Sequence, residues 1–195
     1  MSEALAADSP TIGARQRILA TAYELFSRRG IRAVGIDEVV ERAGVAKATL
    51  YRHFPSKDDL VLAFLDCREQ LWTREWVEAE ARRRGSTPEE QLLAIFDAFD
   101  EWFHEPDFEG CSFINALLET GDLKHPIGAA SAAHLENIRS IVCSLAEEAD
   151  LRDPAEFALS WHILMKGSIV QAAEGDRAAA QRAKALGALL IDHHR

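Results

Sequence analysis

The sequence predicts an all-α protein of about nine helices: an N-terminal three-helix helix-turn-helix unit, then a larger helical domain that binds a ligand and dimerises. Three observations predict that class. Apolar residues recur at spacings of three and four almost throughout, and no stretch alternates as a half-buried strand does. Caps, prolines and glycines punctuate the periodic stretches where helices should start and stop. A chain of 195 residues, 48% hydrophobic and 28% charged, suits a globular fold with one substantial core and a smaller appended module.

Residues 1–10 read as a flexible tail, 11–57 as the three-helix unit and 58–195 as the larger domain. Arg15 to Arg29 places Ile18, Ala22, Leu25 and Phe26 on one face and closes with basic residues and Gly30, which suits the negative end of a helix dipole. Ile36, Val39, Val40 and Ala43 repeat the pattern until Gly44 breaks it. Val45, Leu50 and Phe54 form the buried edge of a third short helix that stops at Pro55. Ser56 and Asp59 have capping-box spacing and open a long helix, running to Gly85, with Val61, Leu65, Trp72, Trp76 and Ala79 in one stripe.

Two later starts, Thr87-Pro88-Glu89-Glu90 and Asp153-Pro154-Ala155-Glu156, each combine a capping side chain, proline at the first helical position and Glu at the third. Between them come a helix with Leu92, Phe96, Phe99, Trp102 and Phe103, a loop from Pro106 to Gly110, a short apolar helix after Cys111, and a longer one after Pro126. Only Gly175 and Asp176 separate the last two helices, which predicts an antiparallel hairpin.

A net charge of -10 argues against a polyanion partner until the sign is read by segment. Residues 11–57 hold nine Lys or Arg against four acids, a net +5, so the remainder carries -15. A basic head on an acidic body would orient on duplex DNA. A Gly-centred turn between the second and third short helices describes a helix-turn-helix, whose last helix enters the major groove.

The words at those positions carry more. Arg42-Ala43-Gly44-Val45, then Lys47-Ala48-Thr49-Leu50-Tyr51-Arg52-His53-Phe54-Pro55-Ser56-Lys57, strongly resembles the signature of TetR-family transcriptional regulators, and the specific match covers about a quarter of the chain. The resemblance implies a sequence-specific DNA-binding transcriptional regulator. The expected form is a repressor released from a palindromic operator by a small-molecule effector. A ligand-independent DNA-binding protein and an acidic helical enzyme are the alternatives.

Lys47, Thr49, Tyr51, Arg52 and His53 offer donors of graded reach opposite the packing residues. Lys47 and Arg52 would touch guanine edges or phosphates, and Ala48 allows close approach and meets a thymine methyl. By the resemblance, Tyr51 and His53 bond phosphate oxygens. Lys57 joins the first amides of the next helix around a phosphate, and Gly35 leaves its amide open to another. The chain departs from many relatives at the start of the second helix: Asp37 would repel a phosphate and is left out of the site, with Arg32 or Arg42 compensating.

One such head buries too little surface for tight binding, which calls for a homodimer on a twofold axis. Gly167 and Ser168 permit close helix approach, and Ala183, Leu186 and Leu190, with Ala179 and Leu189, form a flat apolar stripe; an internal core contact is the alternative. In the resembling family this hairpin pairs with its mate as a four-helix bundle. Trp72, Phe99, Trp102, Phe103, Phe113 and Trp161 would line an effector cavity, with Asn115, Glu119, His134 and His162 as its polar groups; plain core packing is the alternative for each. The effector's identity is not written in these residues. Cys111, next to Gly110, reads as a redox sensor or as a buried inert thiol.

Three cysteines without CxxC spacing suggest neither a disulfide framework nor a zinc knuckle. No GxSxG, P-loop, HExxH or dinucleotide fingerprint occurs, so no enzyme, cofactor or metal is expected. No apolar run is long enough to span a bilayer and no signal-like segment opens the chain, so the expected location is cytoplasmic with no membrane partner.

Overall fold

The structure, a computed structural model, describes residues 13–195; the expected tail at 1–10 lies outside them. Among the described residues the order is α1 (Ala14–Arg29), α2 (Ile36–Ala43), α3 (Lys47–His53), α4 (Lys57–Arg68), a π-helical segment (Glu69–Glu78), α5 (Ala79–Arg84), α6 (Pro88–His104), α7 (Ser112–Thr120), α8 (Pro126–Glu148), α9 (Pro154–Ala173) and α10 (Ala179–His194). Helix runs without interruption through α4, the π segment and α5. Counted as one rod, these leave nine helices among the described residues, and no strand occurs there. None of these helices is long and apolar enough to cross a membrane.

The chain divides into two compact units. The first holds the residues up to Arg68 together with Ser112–Ala133, and the second holds Glu69–Cys111 with His134–Arg195. In the first unit α1 packs against α2, α3 and α4, and α4 against α7. Its core collects Ile18, Leu25, Phe26, Val34, Val39, Leu50, Phe54, Leu60 and Phe64, all buried. Phe64 meets Tyr23 and Phe26 edge-on, with centroids 5.6 and 5.5 Å apart, and the Arg68 guanidinium donates to the Tyr23 hydroxyl at 2.8 Å.

In the second unit α10 lies against α9 and α6. Trp72, Trp102 and Phe108 form a chain of edge contacts at 5.2 and 4.9 Å, while Trp161 sits between Phe96 and Phe157 at 5.1 and 5.2 Å. The stripe expected on the long helix shifts here. Each π turn advances by more residues than an α turn, so Trp72, Thr73, Val77 and Ala81 are buried, whereas Trp76 is half-buried and Ala79 exposed.

The two predicted caps differ. At α6 the Thr87 hydroxyl accepts from the Glu90 amide at 3.2 Å and the Glu90 carboxylate accepts from the Thr87 amide at 3.2 Å, a complete capping box. At α9 Pro154 opens the helix as expected, but Asp153 makes no side-chain cap bond. A capping side chain requires an extended backbone, and Asp153 is left-handed at φ 49°, as is Asp150 at φ 54° in the same short turn.

Gly187 of α10 is a packing glycine that periodicity did not reveal. A Cβ there would stand 2.8 Å from Trp161 and 3.2 Å from Phe96. Gly187→Ala gains about 1 kcal/mol of helix propensity but overpacks a filled aromatic core at a cost of about 1–3 kcal/mol. The expected outcome is a lower urea midpoint at fixed protein concentration; a raised midpoint, as for a glycine in open space, would contradict this packing.

Candidate nucleic-acid interface

The interface is built by the turn between α2 and α3. Gly44 adopts φ 60°, ψ 44° and its amide closes on the carbonyls of Val40 and Glu41, so α2 ends and the chain turns into α3 within three residues. A seven-residue helix is marginal by itself. Leu50 and Phe54 pin α3 to the core, and the Arg15 guanidinium lies over the Phe54 ring at 5.0 Å.

Burial of that edge turns the remaining side chains outward. Lys47, Ala48, Tyr51 and Arg52 are exposed, while Thr49 and His53 are half-buried on its flanks. Lys57, half-buried, is the first residue of α4, whose first turn is capped by the Ser56 hydroxyl accepting from the Asp59 amide at 3.1 Å. Gly35 is exposed at the N-cap of α2 and carries no capping side chain. All eight residues proposed from sequence for DNA contact therefore reach the surface of the first unit.

The charges around them are sorted. Arg42 pairs with Glu24 at 2.9 Å and Arg29 with Glu38 at 2.5 Å, so Arg42 is engaged within the head. Arg52 and Lys57 have no carboxylate partner among the described residues. Lys47 does: its ammonium stands 2.6 Å from Asp37, with the two side chains 55% and 81% exposed. Hydrogen bonding and charge from Asp37 raise the Lys47 pKa above its ordinary value.

Glu119, read from sequence as a polar group of the effector cavity, sits elsewhere. Its carboxylate, from α7, accepts from the backbone amides of Ile31 at 3.2 Å and Arg32 at 2.7 Å in the turn between α1 and α2. Gly30 is left-handed at φ 78°, and a Cβ there would stand 2.3 Å from the Glu119 carboxylate. The turn has open amides that need an acceptor, and α7 supplies it. Eighty-odd residues of separation leave no local signal for this contact.

The proposed effector residues are spread over both units. Phe113, buried, and Asn115, half-buried, belong to the first. In the second, Trp72, Phe99, Trp102 and Phe103 pack ring to ring with centroids 5.2–5.9 Å apart, and buried Trp161 joins the Phe96 and Phe157 group. His134 is buried 3.5 Å from Glu69, which also accepts from the Asn137 amide at 3.1 Å. Burial pushes the Glu69 carboxyl up, yet hydrogen bonds from His134, Thr73 and Asn137 outweigh it and hold the pKa below the ordinary value. Cys111 is buried.

Three of the residues proposed for dimerisation point inward. Ser168 is buried and its hydroxyl donates to the Met165 carbonyl at 2.8 Å, and Ala179 and Ala183 are buried too. Gly167 and Leu186 are exposed and Leu190 is half-buried. The outward face of the hairpin is instead a groove lined by Ser160, Leu164, Leu186, Leu189, Leu190 and His193. Ile163 and Leu189, 71% and 65% exposed, stand on the same helices. Gly167 thus lies on the exposed side of α9, while its neighbour Ser168 faces inward.

Comparison with known proteins agrees with this arrangement. The family model for bacterial regulatory proteins of the tetR family matches residues 18–64, and the model for the tetracyclin repressor-like C-terminal domain matches 88–186. A crystal structure of a TetR-family transcriptional regulator from Streptomyces coelicolor superposes with a TM-score of 0.85 at 32% identity, covering 93% of this chain and 95% of that one. The HTH-type transcriptional activator FasR of Mycolicibacterium smegmatis is 38% identical over 102 residues, 51% of this chain but only 44% of FasR. The HTH-type transcriptional regulator YjdC of Escherichia coli is 25% identical over 158 residues, 80% of this chain and 81% of YjdC.

His162, 6% exposed, has its pKa pushed down to about 4, first by burial and then by the charges of Lys166 and Arg139. The unfolded chain takes up this proton near the ordinary value of 6.5, whereas the folded one waits until about 4. Between those values the unfolded state binds more protons, so stability falls as pH falls. From pH 7 to pH 5 the wild type should lose about 2 kcal/mol more than His162→Gln in urea unfolding at fixed protein concentration; equal losses would contradict a neutral buried imidazole.

Proposed function

Because the chain belongs to the TetR family of bacterial regulatory proteins, whose members are DNA-binding transcriptional regulators, we propose that it is a cytoplasmic repressor that grips a palindromic operator as a homodimer and is released by a small-molecule effector. The observation that carries the reading is the bare polar face of α3: Leu50 and Phe54 are spent on the core, and Lys47, Ala48, Tyr51 and Arg52 are left to the outside. Arg52 and Lys47 read base edges, Ala48 meets a thymine methyl, and Thr49, Tyr51, His53, Lys57 and the Gly35 amide hold the phosphates on either side.

Two heads are needed to read two half-sites about one DNA turn apart. The outward groove of α9 and α10 supplies the joining surface: contiguous exposed leucines on a helical hairpin are what a second copy would cover. Gly167 lets a helix approach closely, and Leu186 and Leu190 make the contact. Ser168 and Ala183 support that face from beneath.

The effector would enter the second unit, among Trp72, Phe99, Trp102, Phe103, His134, Trp161 and His162, and favour a pose in which the heads no longer match the half-site spacing.

Arg52→Ala should weaken binding to the selected operator by about 10–100-fold while leaving the fold intact, as measured by fluorescence anisotropy; unchanged affinity would remove α3 from the groove. A Leu186→Lys, Leu189→Lys pair should give a monomer by analytical ultracentrifugation and leave only weak, salt-sensitive, sequence-indifferent binding. A stable dimer in that variant would place the interface elsewhere. Transcription from a reporter carrying the operator should rise when the gene for the chain is deleted, and a fall would make it an activator.

A further inference from the structure

The acid at the start of α2 looks out of place in a phosphate-gripping head. Asp37 lies in the first turn of α2, where the helix dipole steadies its charge. Its carboxylate is held 2.6 Å from the ammonium of Lys47, the first residue of α3. The pair spans the turn that contains Gly44 and ties the two helices of the reading motif at the end facing outward. Both side chains are exposed, so neither is buried for packing.

We propose that Asp37 is a specificity-determining positioning residue, one that prevents Lys47 from serving as a phosphate ligand and keeps it as a reader of base edges. The proposal rests on the DNA-reading role of α3 given above. A phosphate arriving at Lys47 meets a second negative charge within a few ångströms and a pair whose net charge is zero, so the attraction that drives sequence-independent binding is cancelled locally. A guanine edge is uncharged and presents two acceptors, O6 and N7. An ammonium has three N–H donors in all, and with one given to Asp37 two remain for that edge. The carboxylate also narrows the arc through which the long lysine side chain swings, which fixes the base pair it reaches. Lys57, with no carboxylate partner among the described residues, remains to supply a phosphate contact beside those of Thr49, Tyr51, His53 and the Gly35 amide.

The test is selection of bound duplexes from a randomised pool by the full-length chain, run in parallel for wild type, Asp37→Asn, Asp37→Glu, Lys47→Met and the Asp37→Asn, Lys47→Met double variant, with thermal melts to confirm that each is folded. Wild type should show a guanine preference at one base pair of each half-site. Asp37→Asn should cut that preference at least about fivefold, tighten binding to random duplex severalfold, and steepen the salt dependence by about 0.9 in log–log slope. Asp37→Glu, which still reaches the ammonium, should retain the preference. Lys47→Met should abolish it, and the double variant should add nothing to that loss.

The failures separate cleanly. No selected sequence for wild type would defeat the reading of α3 and this proposal with it. A consensus untouched by Lys47→Met would show that Lys47 reads no base. A preference lost in Lys47→Met but kept in Asp37→Asn would overturn the role of Asp37 alone, and a change only in overall affinity and salt slope would reduce Asp37 to a general repulsive charge.

Discussion

The burial of Leu50 and Phe54 is the constraint on which the reading head depends. Seven residues of helix do not hold themselves together in water, so α3 exists because these two side chains enter the core formed with α1. With one edge committed, helical geometry decides the direction of every other side chain. The left-handed Gly44 sets where that edge begins, and the unsuitability of Pro55 for a helix interior sets where it ends.

Electrostatics then refine what the packing presents. A chain of net charge -10 carries its positive excess in this small region, yet much of the excess is spoken for: Arg42, Arg29 and Lys47 all face carboxylates of the head. The outward field is therefore concentrated on a few groups rather than spread over many, which is how a surface can favour one register on a duplex over sliding contact. Glu119 adds a structural link, since the turn between α1 and α2 is completed by an acceptor that comes from the middle of the chain.

The helices, the glycine turn and the outward residues of α3 could be read from the sequence because each follows from spacing within a dozen residues. The capping box at Thr87 was legible for the same reason. Asp153 shows the limit of such reading: its motif is right for a cap, but a tight turn with left-handed residues at Asp150 and Asp153 overrides it. The π segment was illegible because no residue type marks it, and it moves Ala79 out of the core and Val77 in. Contacts between distant segments, Glu119 with Arg32 and Gly187 with Trp161, leave no periodic trace at all. Asp37 reads in the sequence only as a charge that repels phosphate, since nothing in a ten-residue gap tells that it meets Lys47.

Affinity cleavage tests the central claim most directly. With Cys67, Cys111 and Cys143 replaced and Ala46→Cys, exposed at the N-cap of α3, carrying a tethered iron chelate, the account predicts strand scission confined to two short patches about one helical turn apart, offset as expected for a major-groove source. A single patch, diffuse scission along the duplex, or none would contradict a pair of α3 helices lying in the groove.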